Sequence, residues 1–143
     1  MYTFVLVVDS ANHLFTAEKI AERVGNPNVE ADGRSVVESP NGPRDGWIAV
    51  SAFNSEGYDY PEENYEILKA AIATAQMDKP LPFLIEGRDT NTSLANDLLT
   101  SLDVNTKTII DNDHGIIAEL PVFKKLAEMG IDWLHQESLP HFD

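Results

Sequence analysis

The sequence predicts an α+β fold in which helices cover one shared sheet. Three observations carry this reading. Apolar runs of strand length, at residues 4–8 and 81–85, recur along the chain. Segments with a helical apolar period and cap signals alternate with them. The order strand, helix, strand, strand, helix occurs twice, at about 3–77 and about 82–129. Each unit alone is short of core, so the two are expected to share a mixed, α/β-type sheet of about six strands, with four helices on one or both sides. The length of 143 residues fits a single globular domain over 1–143.

Residues 3–9, a β-branched run ending at Asp9, read as a buried strand. The segment after it carries Thr16 as N-cap, Glu18 in the first turn and Gly25 where a left-handed C-cap is wanted, with Ala17, Ile20, Ala21 and Val24 as its apolar stripe. Residues 34–39 and 47–53 are extended pieces joined by the turn-rich 40–46, and the simplest reading is a hairpin. Pro61 opens a helix to about Met77, with Tyr65, Leu68, Ile72 and Ala75 on its inner face.

In the second unit, residues 81–87 form a strand. Asn91 or Thr92 caps a helix whose inner face is Leu94, Leu98, Leu99 and Leu102. Residues 106–111 and 116–120 flank the hairpin turn Asn112-Asp-His-Gly, and Pro121 opens a last helix closed by Gly130. Trp133 is expected to pack by its indole, with a fraying tail beyond it.

The chain carries 24 acidic residues against 10 basic ones, a net charge of -14, and no cysteine. Such a charge disfavours nucleic acid and anionic membranes as partners and leaves basic proteins. The absence of cysteine excludes a disulfide scaffold and a thiol nucleophile, and suits a reducing compartment. The N-terminus has neither a basic start nor a long apolar run, so a cytoplasmic protein is expected.

The most unusual stretch lies between Arg44 and Lys69. It holds Asp45, Glu56, Asp59, Glu62, Glu63 and Glu66 with no base, interleaved with Trp47, Phe53, Tyr58, Tyr60 and Tyr65. Carboxylates beside rigid aromatic anchors are the combination that binds a basic protein surface. The plainer alternative is that the glutamates favour a first helical turn and the tyrosines edge the core. A second patch is Asp111, Asp113 and His114, whose groups suit partner contact, a hard metal or acid–base work. Asn, Asp and Gly are also what a hairpin turn requires. Glu86, Arg88 and Asp89 end a strand as a charge group, for which an internal ion pair through Arg88 is expected. His13, His135 and His141 fit no metal pattern. No phosphate loop, serine elbow, zinc helix or dinucleotide fingerprint occurs, so no cofactor is expected.

Phe-Leu-Ile-Glu-Gly-Arg-Asp at 83–89, Ile-Ile-Asp-Asn-Asp-His-Gly at 109–115, residues 123–126 and Gly-Ile-Asp-Trp-Leu at 130–134 give the chain its likeness to a family. Over roughly 81–134 it resembles small acidic bacterial immunity proteins that neutralise polymorphic toxins, including those of contact-dependent growth inhibition systems. The resemblance implies a cytoplasmic, non-enzymatic protein that binds one cognate toxin domain, often a basic nuclease. It transfers no functional residue by position. From the residues themselves, Glu56, Tyr58, Asp59, Tyr60, Glu62 and Glu63 are the expected contact face, with Asp111, Asp113 and His114 as a second. The competing readings are a small metal-dependent hydrolase using Asp111, Asp113 and His114, with Glu86 as a further candidate, and an acidic adaptor domain.

Overall fold

The computed structural model describes residues 1–54 and 60–140. Among the described residues seven strands form one sheet in the order β2-β3-β4-β5-β1-β6-β7: β1 (Tyr2–Asp9), β2 (Asn28–Val29), β3 (Ser35–Glu38), β4 (Gly46–Ala52), β5 (Pro80–Asp89), β6 (Thr108–Asp111) and β7 (Ile117–Glu119). Among the described residues four α-helices accompany it, α1 (Ala17–Ala21), α2 (Glu62–Ala75), α3 (Ser93–Ser101) and α4 (Leu120–Glu128), with a 3-10 turn at Thr90–Thr92 before α3. The α+β class and the shared sheet are as the sequence predicts. The sheet differs from the expected mixed, six-stranded one in two ways. Every pairing is antiparallel, and a seventh strand, β2, folds back on β3 through a turn held by Gly33 N–H to Glu30 O at 2.9 Å.

The topology exchanges hairpins between the two units. The β3–β4 hairpin follows β1 in sequence but docks on β5, while β6–β7 follows β5 but docks on β1. The first hairpin attaches through its second strand and the second through its first, so the repeated element order is not a repeated arrangement. β1 therefore sits between β5 and β6, and all its residues from Phe4 to Val8 are buried. That position needs a strand apolar on both faces, which the run Phe-Val-Leu-Val-Val supplies.

Alternation along β1 divides the core. Tyr2, Phe4, Leu6 and Val8 face α1, α3 and α4, and join Ile20, Leu94, Leu98, Leu99, Phe123, Leu126 and Trp133. Val5 and Val7 face α2 and join Leu68 and Ile109. Each buried Leu, Ile or Phe side chain contributes on the order of 2 kcal/mol. Trp133 anchors the chain after α4, as expected: it meets Phe4 and Phe123 edge-on at 5.3 and 5.8 Å between ring centres, and its indole N–H donates to Asn96 Oδ1 at 2.8 Å.

Local details correct the sequence reading in several places. Thr16 caps α1 as expected, its hydroxyl accepting from Lys19 N at 3.1 Å. Gly25 is not a left-handed cap; a Cβ there would lie 2.8 Å from Val37 Cγ1, so the residue is small because β3 passes close by. Tyr65 does not face inward on α2 but is 39% exposed, and Ala71 joins Leu68, Ile72 and Ala75 on the packed side. Neither Asn91 nor Thr92 caps α3 with its side chain. Both have positive φ, 59° and 52°, and Asp89 takes the capping role by accepting Leu94 N–H at 2.9 Å. Asp89 also accepts the Tyr2 hydroxyl at 2.7 Å, while Arg88 is exposed and forms no ion pair among the described residues. Burial and the Asp89 carboxylate push the Tyr2 hydroxyl pKa far above its ordinary value. No helix among the described residues is long and apolar enough to cross a membrane.

Gly87 faces Tyr2 in the β1–β5 register, and a Cβ at 87 would lie 2.5 Å from the tyrosine ring. Gly87→Ala must displace the ring and with it the Asp89 cap. The expected loss is about 1–3 kcal/mol of unfolding free energy, read as a lower urea midpoint at unchanged m-value.

Candidate functional site

One hydrogen bond brings the two sequence-predicted patches together. Tyr60, just before α2, donates its hydroxyl to Asp111 Oδ2 at the end of β6. The Tyr60 ring lies edge-on to Phe53, 5.3 Å between centres, so an aromatic pair roofs this part of the α2 face of the sheet. Glu62 and Glu63 follow Tyr60 in the exposed first turn of α2, and Asp113 and His114 follow Asp111 in an exposed turn. The result is one acidic edge. Glu56, Tyr58 and Asp59, the remaining members of the expected face, lie outside the described residues.

Asp111 itself is a structural member of that edge. It is 1% exposed; one carboxylate oxygen accepts from Tyr60 and the other from Asp113 N–H at 2.9 Å. Burial raises its pKa above the ordinary carboxylate value, against the opposing pull of the Tyr60 hydroxyl and the Asp113 N–H, and the Asp113 charge raises it further. A carboxylate so enclosed is poorly placed to serve a substrate in solvent.

Asn112, beside it, is fully buried and makes four side-chain bonds. Its amide N–H groups donate to Trp133 O and Gln136 O, both at 2.8 Å, and its Oδ1 accepts from His114 N and Ile116 N, both at 3.0 Å. Gly115, at φ +122°, completes the clamp: a Cβ there would meet Glu137 O at 2.5 Å. The Asp111 to Gly115 turn is thus fastened to the segment after α4. That attachment brings His114 against His135, ring centres 4.9 Å apart and edge-on, while His135 Nδ1 lies 2.7 Å from Asp132 Oδ2. Among the described residues no group of three or more His, Asp or Glu side chains is arranged to hold a metal ion. The bonds of the turn itself use these residue types.

The rest of the acidic stretch divides between brace and surface. Asp45 is a brace, accepting the hydroxyls of Ser39 and of Thr90, at 2.5 and 3.1 Å, and these bonds, Ser39 first, hold its pKa low. Glu66 pairs with Lys69 at 3.1 Å, and the same ammonium lies 4.8 Å from the centre of the Tyr65 ring. Glu62 and Glu63 have no such partners among the described residues. Beyond them α2 exposes Tyr65 and Ile67, the latter 53% accessible. Sequence reasoning missed Ile67, since its apolar character alone gives no sign that it faces out.

Several of the cations turn toward the backbone. Lys107 donates to Gln76 O after α2 at 2.9 Å, Arg23 to Ser101 O at 2.8 Å, and Lys124 to Thr100 O and Leu102 O at the end of α3. Helix C-termini attract cations, so these side chains offset the negative ends of α2 and α3. Arg34 is held by Asp32 and Glu30 at 3.1 and 3.5 Å. Comparison of the chain with protein-family models, curated proteins and solved structures found no match.

Two measurements test this account. Asn112→Ala leaves several buried partners unsatisfied and should cost about 3 kcal/mol in chemical denaturation. For Asp111 the folded chain binds the proton more tightly than the unfolded chain does. Its contribution therefore falls as pH rises from the ordinary value of 3.8 through the raised folded pKa. Asp111→Asn removes that slope, so the stability of the variant relative to the parent should increase as pH rises over this window, in denaturation curves taken at half-unit steps.

Proposed function

We propose that this chain is an immunity protein that binds and neutralises a cognate, basic bacterial toxin domain. A nuclease is the toxin chemistry that most requires a basic surface, because its substrate is a polyanion. The observation that carries the reading is the acidic edge. Glu62 and Glu63 stand exposed beside the turn that contains Asp113 and His114, while Lys107, Arg23 and Lys124 are engaged with helix-terminal carbonyls. A net charge of -14 arranged in this way attracts a basic domain from a distance and speeds encounter.

The edge supplies anchors as well as charge. Tyr65 and Ile67 lie on the exposed side of α2, where an incoming surface buries them. The carboxylates steer and orient the partner, and the apolar side chains slow its departure. Inhibition then follows from covering the substrate-binding surface of the toxin. The chain performs no chemistry in this reading, and Asp111 holds the edge together from beneath.

The test is co-expression with the toxin domain encoded beside this chain, followed by co-purification and stopped-flow association. The double variant Glu62→Lys, Glu63→Lys should lower the association rate by about tenfold at low salt and flatten its dependence on ionic strength. Ile67→Asp should act mainly on the dissociation rate. An association rate and salt slope unchanged by the double reversal would remove this edge as the contact surface. Failure to protect cells from the neighbouring toxin would remove the immunity reading altogether.

A further inference from the structure

α2 packs over only part of its face of the sheet. The core on that side joins Val5, Val7, Leu84, Ile109 and Ile117 to the helix but contains no residue of β3 or β4. Among the described residues, helices cover those two strands and the end of β5 only on the opposite face, where α1 and α3 bury Val37, Ile48, Val50 and Ile85. On the bare side Glu38, Trp47 and Arg88 stand in one row, since Glu38 pairs with Trp47 across β3–β4 and Trp47 with Arg88 across β4–β5. Neighbouring strands are about 4.8 Å apart, so the acid and the base flank the indole with roughly 10 Å between them.

Among the described residues none of the three has a partner. Glu38 and Arg88 are exposed, and Trp47, half-buried, belongs to neither core cluster. No hydrogen bond, ion pair or ring contact ties any of them to the described residues. A half-buried tryptophan on a sheet face that no described helix covers, between two opposite charges with no partner among the described residues, is a contact residue awaiting a surface.

We propose that this face binds a second copy of the chain, as a two-fold symmetric dimer of sheet on sheet. The order acid, aromatic, base carries the argument. A two-fold axis running between the sheets, along β4 and past Trp47, reverses the row in the second copy. Glu38 of each copy then lies over Arg88 of the other, and the two indoles meet at the axis. An unlike partner must carry the reversed pattern by coincidence, whereas a second copy carries it by symmetry. In the next row of this face Ala49 is buried between Val36 and Glu86, which are partly exposed, with Thr3 at its margin.

The patch spans three strands, which is smaller than the roughly 800 Å² per partner of a standard interface, so the dimer is weak, with a dissociation constant on the order of 10–100 μM. Two bodies of charge -14 also repel one another. Salt screens that long-range repulsion more than it weakens contact pairs withdrawn from solvent. Self-association therefore strengthens as salt rises from about 0.05 to 0.3 M, opposite to the behaviour expected for a complex with a basic toxin.

Sedimentation velocity over about 5–500 μM protein tests the proposal. The parent chain should shift from monomer to dimer across this range. Arg88→Glu and Glu38→Arg should each weaken association at least about tenfold, because each places two like-charged pairs across the axis. The double exchange Glu38→Arg, Arg88→Glu restores opposite pairs in the reversed order and should recover the parent affinity to within about threefold. Far-ultraviolet circular dichroism confirms that each variant is folded. A parent chain monomeric throughout, at either salt concentration, overturns the proposal. A dimer indifferent to both single changes, or not recovered by the double exchange, overturns this face as its seat.

Discussion

The pairing of β1 with β5 is the constraint on which the rest of the molecule depends. It runs the whole length of β1, from Tyr2 opposite Gly87 to Asp9 opposite Pro80, and it joins the two halves of the chain at the centre of the sheet. Each of these strands then receives the hairpin of the other half. The ends of the pairing are secured by side chains that serve more than one element. At one end the Tyr2 hydroxyl and the Leu94 amide meet on the Asp89 carboxylate, so the same residue ends β5 and starts α3. At the other end the Asp9 carboxylate accepts the amides of Ala11, Asp78 and Lys79, with Lys79 the largest influence holding its pKa low.

Charge in this protein is divided by role. Carboxylates at Asp9, Asp45, Asp89 and Asp111 satisfy backbone amides or hydroxyls at strand ends and turns, where an acceptor is needed. The cations Lys107, Arg23 and Lys124 do the complementary task at the carbonyl ends of helices. Arg23 and Lys107 stay at the exposed surface while they satisfy these carbonyls, so the pairing removes no charge from it.

Much of the fold was legible because its strongest signals are local. The run at 4–8, the Pro61 and Pro121 helix starts and the turn from Asn112 to Gly115 each follow from residue chemistry within a few positions, and each appears where expected. What escaped was set by distant neighbours. Gly25 is explained only by the approach of Val37, and Gly87 only by the ring of Tyr2. The Asp89 cap on α3 reaches across two residues of unusual backbone, Asn91 and Thr92, which no helix-start rule anticipates. β2, two residues long, carries too little pattern to be read as a strand. For the candidate site, residue types named the acidic patches, but their union through Tyr60 and Asp111 spans 51 positions in the chain and has no sequence signature. The same limit explains Tyr65: the helical period placed it inward, and the bare flank of α2 leaves it in solvent.

The exchange of hairpins governs how the chain is made. During synthesis the first unit emerges with β1 and the β3–β4 hairpin, yet these make no strand pairing with each other, and both await β5. The apolar run of β1 therefore spends the translation of the whole first half without a strand on either side, at about 5–20 residues per second. Its second neighbour, β6, comes later still. Closure of so long a loop makes this pairing slow compared with local hairpins, and leaves the apolar strand exposed for longer before it is paired. By the same topology neither half holds the central β1–β5 pairing on its own, although β2, β3 and β4 pair within the first and β6 and β7 within the second. Severed between α2 and β5, they become a complementing pair of fragments, each lacking the strand that the other carries.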